Sequence, residues 1–254
     1  VYFDSGDITD LNGSAGAEVR FGSTGPRCRN WEARAFLGHW DTNYTFDQPN
    51  LTSPLSPMLD PDVVDITYDS SIYSIEFNLR KAWTPGITFI TGPRFIALNE
   101  ELLITSDTVI PIPPIGNFDL STRNEIVTTN RLIGGQIGAL INFPISRDVY
   151  VHGFVRTGGY GNLTRLRSTA ETTVMPEETT IVRRDVASFV GEVGGKIYYD
   201  LVPGVFSGFM GYEATWIDGV ALAPVQAQNL TPTFVTTEVT AFFQAVTFGV
   251  QMRW

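Results

Sequence analysis

"SSIYSIEFNLR", residues 70–80, puts Tyr73, Ile75, Phe77 and Leu79 on one face of an extended chain and Ser74, Glu76, Asn78 and Arg80 on the other. Side chains alternate across a strand with a period of two, whereas a helix repeats its apolar residues every three or four. The stretch is therefore read as a β-strand. Two architectures produce this pattern. A soluble sandwich turns the apolar face inward and the charged face to water. A transmembrane barrel turns the apolar face to lipid and the polar face to a lumen. Periodicity alone does not separate them.

The same alternation recurs along the chain, at about 14–24, 30–40, 86–98, 131–143, 148–157, 186–199, 204–216 and from about 243 to the last residue. The polar faces repeatedly carry charge, at Glu32, Arg34, Glu76, Arg80, Glu192, Lys196, Glu213 and Arg253. No apolar run approaches the ~18–20 residues of a transmembrane helix. "VYFDSGD" at the start has neither the charged beginning nor the apolar centre of a signal peptide.

The connections decide between the two architectures. Those at 25–29, 81–86, 144–148 and 200–204 are short, and those at 41–68, 106–126, 160–185 and 217–241 are long. Outer-membrane barrels alternate tight periplasmic turns with long external loops, and a sandwich has no reason to keep its long loops at one end. The expected fold is all-β: a single antiparallel up-and-down transmembrane β-barrel domain over 1–254. The terminal alternation of Val246, Phe248, Val250, Met252 and Trp254 fits this. It resembles the C-terminal signal read by the outer-membrane barrel-assembly machinery, with an aromatic ring at the lipid–water interface.

Nine strands are read, whereas single-chain bacterial barrels have an even number. About ten are expected, within a range of 8–12. Residues 1–13 are then the tail of an external loop. The remaining strand lies upstream of Val1, ends as a stub at Val1–Phe3, or comes from a second chain.

A net charge of −10, with lysine only at Lys81 and Lys196, argues against a nucleic-acid partner, which needs a basic surface. The one cysteine, Cys28, excludes an intrachain disulfide and a cysteine-based zinc site. Asp60, Asp62, Asp65 and Asp69 form the single cation candidate, for calcium. Their spacing is not that of an EF-hand, and no other cofactor is expected. N-x-S/T triplets at Asn12, Asn43, Asn50, Asn162 and Asn229 place those segments in exposed turns or loops. The apolar, Pro-rich stretch 109–114 is expected to fold over a barrel mouth or meet a partner.

Three segments carry a family likeness: "GPRFIALNEELLIT", "RLIGGQIGALINFPISRDVYVHGFVRTGGYGN" and "GYEATWIDGVALAPVQ". Gly92, Arg94, Phe95, Leu98, Asn99 and Glu100 match a first motif. Gly134, Gly135, Gln136, Ile137 and Gly138 match a second. A late hairpin matches at Gly211, Tyr212, Trp216, Asp218, Val220, Ala221, Pro224 and Gln226. The chain resembles the β-barrel porin family of planctomycete outer membranes, well over 85–254 and loosely over 14–80. The resemblance implies a barrel and a membrane more firmly than an activity.

A barrel of eight to ten strands has an interior that side chains can fill. The charged residues named above could plug it in pairs, while Gly134, Gly138, Ser188, Ser207 and Gly211 leave some room. The expectation is a structural or narrow-channel outer-membrane protein, with the bilayer and the assembly machinery as partners. Its loops would contact surface proteins or further copies. Two alternatives stand beside it: a soluble β-barrel holding an apolar ligand, and an outer-membrane enzyme. Catalysis needs a nucleophile and a base in one site. The only histidines are His39 and His152, and "FSGF" around Ser207 is not a nucleophile elbow, so no catalytic residue is expected.

Overall fold

Residues 13–23, 30–46, 63–112, 116–227 and 234–252 are described by the structure, a computed structural model. They form nine strands: β1 (Gly13–Ser23), β2 (Asn30–Phe46), β3 (Val63–Thr84), β4 (Ile87–Ile112), β5 (Gly116–Pro144), β6 (Val149–Thr172), β7 (Met175–Val202), β8 (Phe206–Val220) and β9 (Val239–Met252). One short helix, α1 (Ala223–Gln226), sits between β8 and β9. Each strand pairs antiparallel with the next in sequence, in the order β1 to β9. The all-β, antiparallel, up-and-down expectation thus describes the sheet. Closure into a barrel does not appear in the hydrogen bonding: among the described residues β1 pairs with β2 alone and β9 with β8 alone. Among the described residues the count is nine, within the expected range of 8–12.

The long connections are corrected in a specific way. The range 106–126 is almost wholly strand, since β4 runs to Ile112 and β5 starts at Gly116. The range 160–185 is strand except for a tight turn between Thr172 and Met175. Residues 41–46 and 63–68 belong to β2 and β3, and 47–62 lies outside the described residues. In 217–241, β8 extends to Val220 and β9 begins at Val239. The length read as loop is therefore spent on tall hairpins. Runs such as "TTIV" and "LLIT" are rich in the β-branched and apolar residues that pack well on a pleated surface, so cross-strand pairing continues past the point where alternation fades. The Pro-rich stretch lies at the β4–β5 tip, where Val109 is exposed and 113–115 fall outside the described residues.

The sheet curls strongly. Arg34 on β2 reaches Glu213 on β8 at 3.0 Å, which only a sheet bent around its inner face allows. That inner face is the charged one. Phe248 is 84 % exposed and Val246 70 %, whereas Arg156 is 1 % and Glu76 2 % exposed. The apolar face of "SSIYSIEFNLR" points out, with Ile75 63 % exposed.

Candidate functional site in the sheet interior

The interior has two storeys. The lower one is ionic, and the strand register builds it. Glu76 on β3 lies opposite Arg34 on β2 and Arg94 on β4, and Arg156 on β6 lies opposite Glu192 on β7. Opposite charges facing each other across strands are the favourable pairing of a sheet. Glu192 accepts from Arg94 Nη2 at 2.7 Å and from Arg156 Nη1 at 3.3 Å, and Arg34 Nη1 stands 3.5 Å away. Glu76 accepts from Gln136 Nε2 at 2.7 Å and lies 3.4 Å from Arg156. A second cluster joins the first strands to the last. Glu18 on β1 contacts Arg34 at 2.6 Å and Lys196 on β7 at 3.3 Å, while Glu213 on β8 contacts Lys196 at 2.7 Å. Glu32 pairs with Arg80 at 3.1 Å. The cations also lie over rings, Arg156 on Phe154 and Lys196 on Phe209.

The upper storey is apolar and is closed by the chain itself. Val64, Ile66, Leu102, Ile104, Ile126 and Leu166 form a core beneath the tall hairpins, and Ala221, Ala223 and Val235 of the β8–β9 connection are buried in it. Gly219, at φ +77°, turns the chain inward as β8 ends, a conformation that side chains with a Cβ rarely adopt. Its carbonyl then accepts from Ser188 Oγ at 2.7 Å and from Asn162 Nδ2 at 3.0 Å. The side-chain amide of Asn130 pairs with both the N–H and the C=O of Ala221, at 2.9 and 2.8 Å, as a neighbouring strand would. Gln226 does the same for Thr236, and Arg184 donates to the carbonyl of Val235. A buried backbone stays inside only if its polar groups find partners, and these side chains supply them.

Glu100 is the odd member of this plug. It accepts from the Ala223 N–H at 2.7 Å and from the Tyr68 hydroxyl at 2.8 Å, and it is 4 % exposed. Burial pushes its carboxyl up to about 7.

Outside, the curl presents an uncharged belt. Outward positions over 15–21, 31–37, 73–79, 89–97, 133–143, 151–163, 187–201, 208–216 and 242–252 hold no Asp, Glu, Lys or Arg. Charge returns above it at Asp69, Glu101, Arg131, Arg165 and Asp185, and below it at Lys81 and Arg147. Glu100 lies above the belt. From Ile133 to Phe143 the belt covers about 33 Å of strand, or about 23 Å in height at a tilt near 45°. Trp83, Phe89, Phe143 and Tyr199 stand exposed at its lower part.

Of the residues singled out in the sequence, Glu32, Arg34, Glu76, Arg80, Glu192, Lys196 and Glu213 converge in the lower interior. Arg253 and Trp254 lie outside the described residues. Val246, Phe248, Val250 and Met252 share the outward face of β9. Asp60 and Asp62 lie outside the described residues, and Asp65 and Asp69 do not converge. Four strand residues separate that last pair by about 13 Å, too far to share an ion held at ~2.3–2.6 Å. Asn162 is buried on β6, not in an exposed loop. His39 sits at the surface 3.5 Å from Asp69, and His152 packs against Phe154 and Tyr198. Ser207 donates to Asp200 and Ser188 to a backbone carbonyl, so neither serine nor histidine assembles a nucleophile–base pair among the described residues.

Sequence reading missed Glu18, Arg20 and Arg156 as interior groups. The signal was present, since each lies on the polar phase of an alternating run. In the sequence Arg94 and Gln136 stand out only as motif residues. The fold and interior define a curled antiparallel meander with inverted faces, ionic within and apolar without. Comparison with protein-family models, curated proteins and solved structures finds no match to this chain.

Proposed function

We propose that this chain is an outer-membrane β-barrel whose lumen is closed, a structural or very narrow channel protein rather than a diffusion pore. The observation that carries the reading is the uncharged belt around nine strands, backed by an ionic inner face. A bilayer offers no partners for charge on the outside, and a strand sheet crossing it needs a band about 25 Å tall. The reverse arrangement, an apolar cavity inside a charged shell, is what a soluble carrier of an apolar ligand would need, whereas the void of about 2120 Å³ here is lined by the ion-pair residues Glu18, Arg34, Glu192, Lys196 and Glu213 and meets the plug at Leu222. The likeness to the planctomycete β-barrel porins agrees with this reading and is part of the proposal.

The test is electrophoretic mobility of detergent-extracted protein, unboiled against boiled, followed by conductance in a planar bilayer. A compact species that shifts on boiling and passes little or no current is the expected result. A protein that stays soluble without detergent would end the membrane reading. Ile137→Arg, at mid-belt, sharpens it. In a bilayer this change costs about 2–4 kcal/mol and depletes the compact species, whereas an exposed position in water would tolerate it.

A further inference from the structure

Charge returns unevenly to the outer surface above the belt, and the register shows where it gathers. Arg165 on β6 lies directly opposite Arg183 on β7. Arg131 on β5 pairs with Leu163, so it stands diagonal to Arg165, whose own partner on β5 is Thr129. All three arginines are exposed. Residues directly opposite have Cβ atoms about 4.5–5.5 Å apart, and diagonal neighbours about 7–8 Å, within reach of long side chains. Three guanidinium groups therefore share one outward patch across three strands.

The patch is not neutralised among the described residues. Asp185, opposite Leu163, is the acid beside it, and none of the four groups makes an ion pair with another described residue. Arg167, the next outward residue on β6, instead shares a small cleft with Glu125, Glu171 and Glu177. Like charges placed directly opposite destabilise a sheet, so an anion seated between Arg165 and Arg183 relieves the fold as well as filling the patch.

Height selects the anion. Ile133 and Leu163, both exposed and both in the belt, lie two residues below Arg131 and Arg165 on the same strands. Where the apolar belt stops the hydrocarbon stops, and the headgroup layer begins. Guanidinium groups pair with two phosphate oxygens at once, which an ammonium group does not do. Along the same edge of the belt, Asp41, Asp69 and Glu101 face one another across β2, β3 and β4. That row repels phosphate, so anions are sorted onto β5–β7. We propose that Arg131, Arg165 and Arg183 form a binding site for the phosphate of an anionic lipid, in the leaflet on the side of the tall hairpins. The proposal rests on the membrane reading above.

The test is native mass spectrometry of the detergent-extracted protein, titrated with phosphatidic acid, phosphatidylcholine or inorganic phosphate. The unaltered chain should hold phosphatidic acid about tenfold more tightly than phosphatidylcholine, and the triple variant Arg131→Gln, Arg165→Gln, Arg183→Gln should lose that preference. Asp185→Asn removes the competing carboxylate and should tighten retention, a gain that no folding defect produces. Equal retention by the triple variant overturns the proposal, and so does unchanged or weaker retention by Asp185→Asn. Inorganic phosphate that binds as tightly as the lipid would make this a soluble-anion site. A dimer that separates when either the arginines or Asp41, Asp69 and Glu101 are neutralised would give the patch to a second copy. Each of these also overturns it. The boiled/unboiled shift is read on the same samples. Its absence from the unaltered chain removes the membrane reading and the lipid site together, whereas a shift with arginine-independent lipid binding removes the lipid site alone.

Discussion

The two storeys of the interior close the same space by different physics. In the lower storey charges on seven strands neutralise one another, with Arg34 alone meeting Glu18, Glu76, Glu192 and Glu213. In the upper storey a connecting segment is folded in and held by neutral amide and hydroxyl groups. The first arrangement belongs to the strands and cannot leave without unmaking the sheet. The second belongs to a loop whose ends alone are strands. An ionic interior is also all-or-none, because removing one partner leaves the others buried and uncompensated. The plug has several separable anchors.

Substitutions can break this contrast, beginning with the largest effect. Arg34→Met should cost about 3–5 kcal/mol, because four carboxylates lose a shared cation inside the sheet. Urea titration followed by tryptophan fluorescence would show it, and a change under 1 kcal/mol would mean that water already screens the cluster.

Next is the pH dependence of the plug. Glu100 has its carboxyl raised from 4.5 to about 7 in the folded chain, so the folded state holds a proton that the unfolded state releases. The stability that Glu100 contributes should be fully present below pH 4.5, fall through pH 4.5–7 and be lost above. This group's share is of order 3 kcal/mol. Glu100→Gln should flatten that slope in melting curves taken across the window. An unchanged slope would place the titration elsewhere.

Asn130→Ala leaves the N–H and C=O of Ala221 buried without their partner, worth about 1–3 kcal/mol. Limited proteolysis should then cut within 221–238 while the boiled/unboiled shift persists. Loss of both together would mean that the storeys are one cooperative unit. The smallest effect belongs outside: Asp69→Asn breaks an exposed pair with His39 and should change stability by less than about 1 kcal/mol.

How much of this was legible varies by residue. Alternation at 70–80 located strand and faces correctly, since period two is a property of the backbone. Which face points inward is a property of the solvent and of the partner strands, and no single strand contains it. The tall hairpins were missed because Thr172–Thr173 and the charged runs beside them interrupt the apolar rhythm, although backbone pairing continues. The plug was invisible for another reason. Ala221 is held by Asn130, 91 residues away in sequence, and nothing local in "VALAPVQ" announces that its backbone will be bonded by a side chain. Glu100 stood out only as part of a motif, since its neighbours Tyr68 and Ala223 come from other strands and loops.

The pairing of Arg34 with Glu213 spans 179 positions of the chain. The hairpins between adjacent strands can form as soon as their two halves exist, but this contact waits for the eighth strand to arrive. Until then Glu18, Arg34 and Glu76 face an incomplete trough. Arg34 then has only the two nearest of its four carboxylates, Glu18 and Glu76, and the trio carries a net negative charge that is better kept in water than in lipid. The ionic storey is therefore a late event in assembly. The order in time runs opposite to the order in depth, with the innermost part of the molecule finished last.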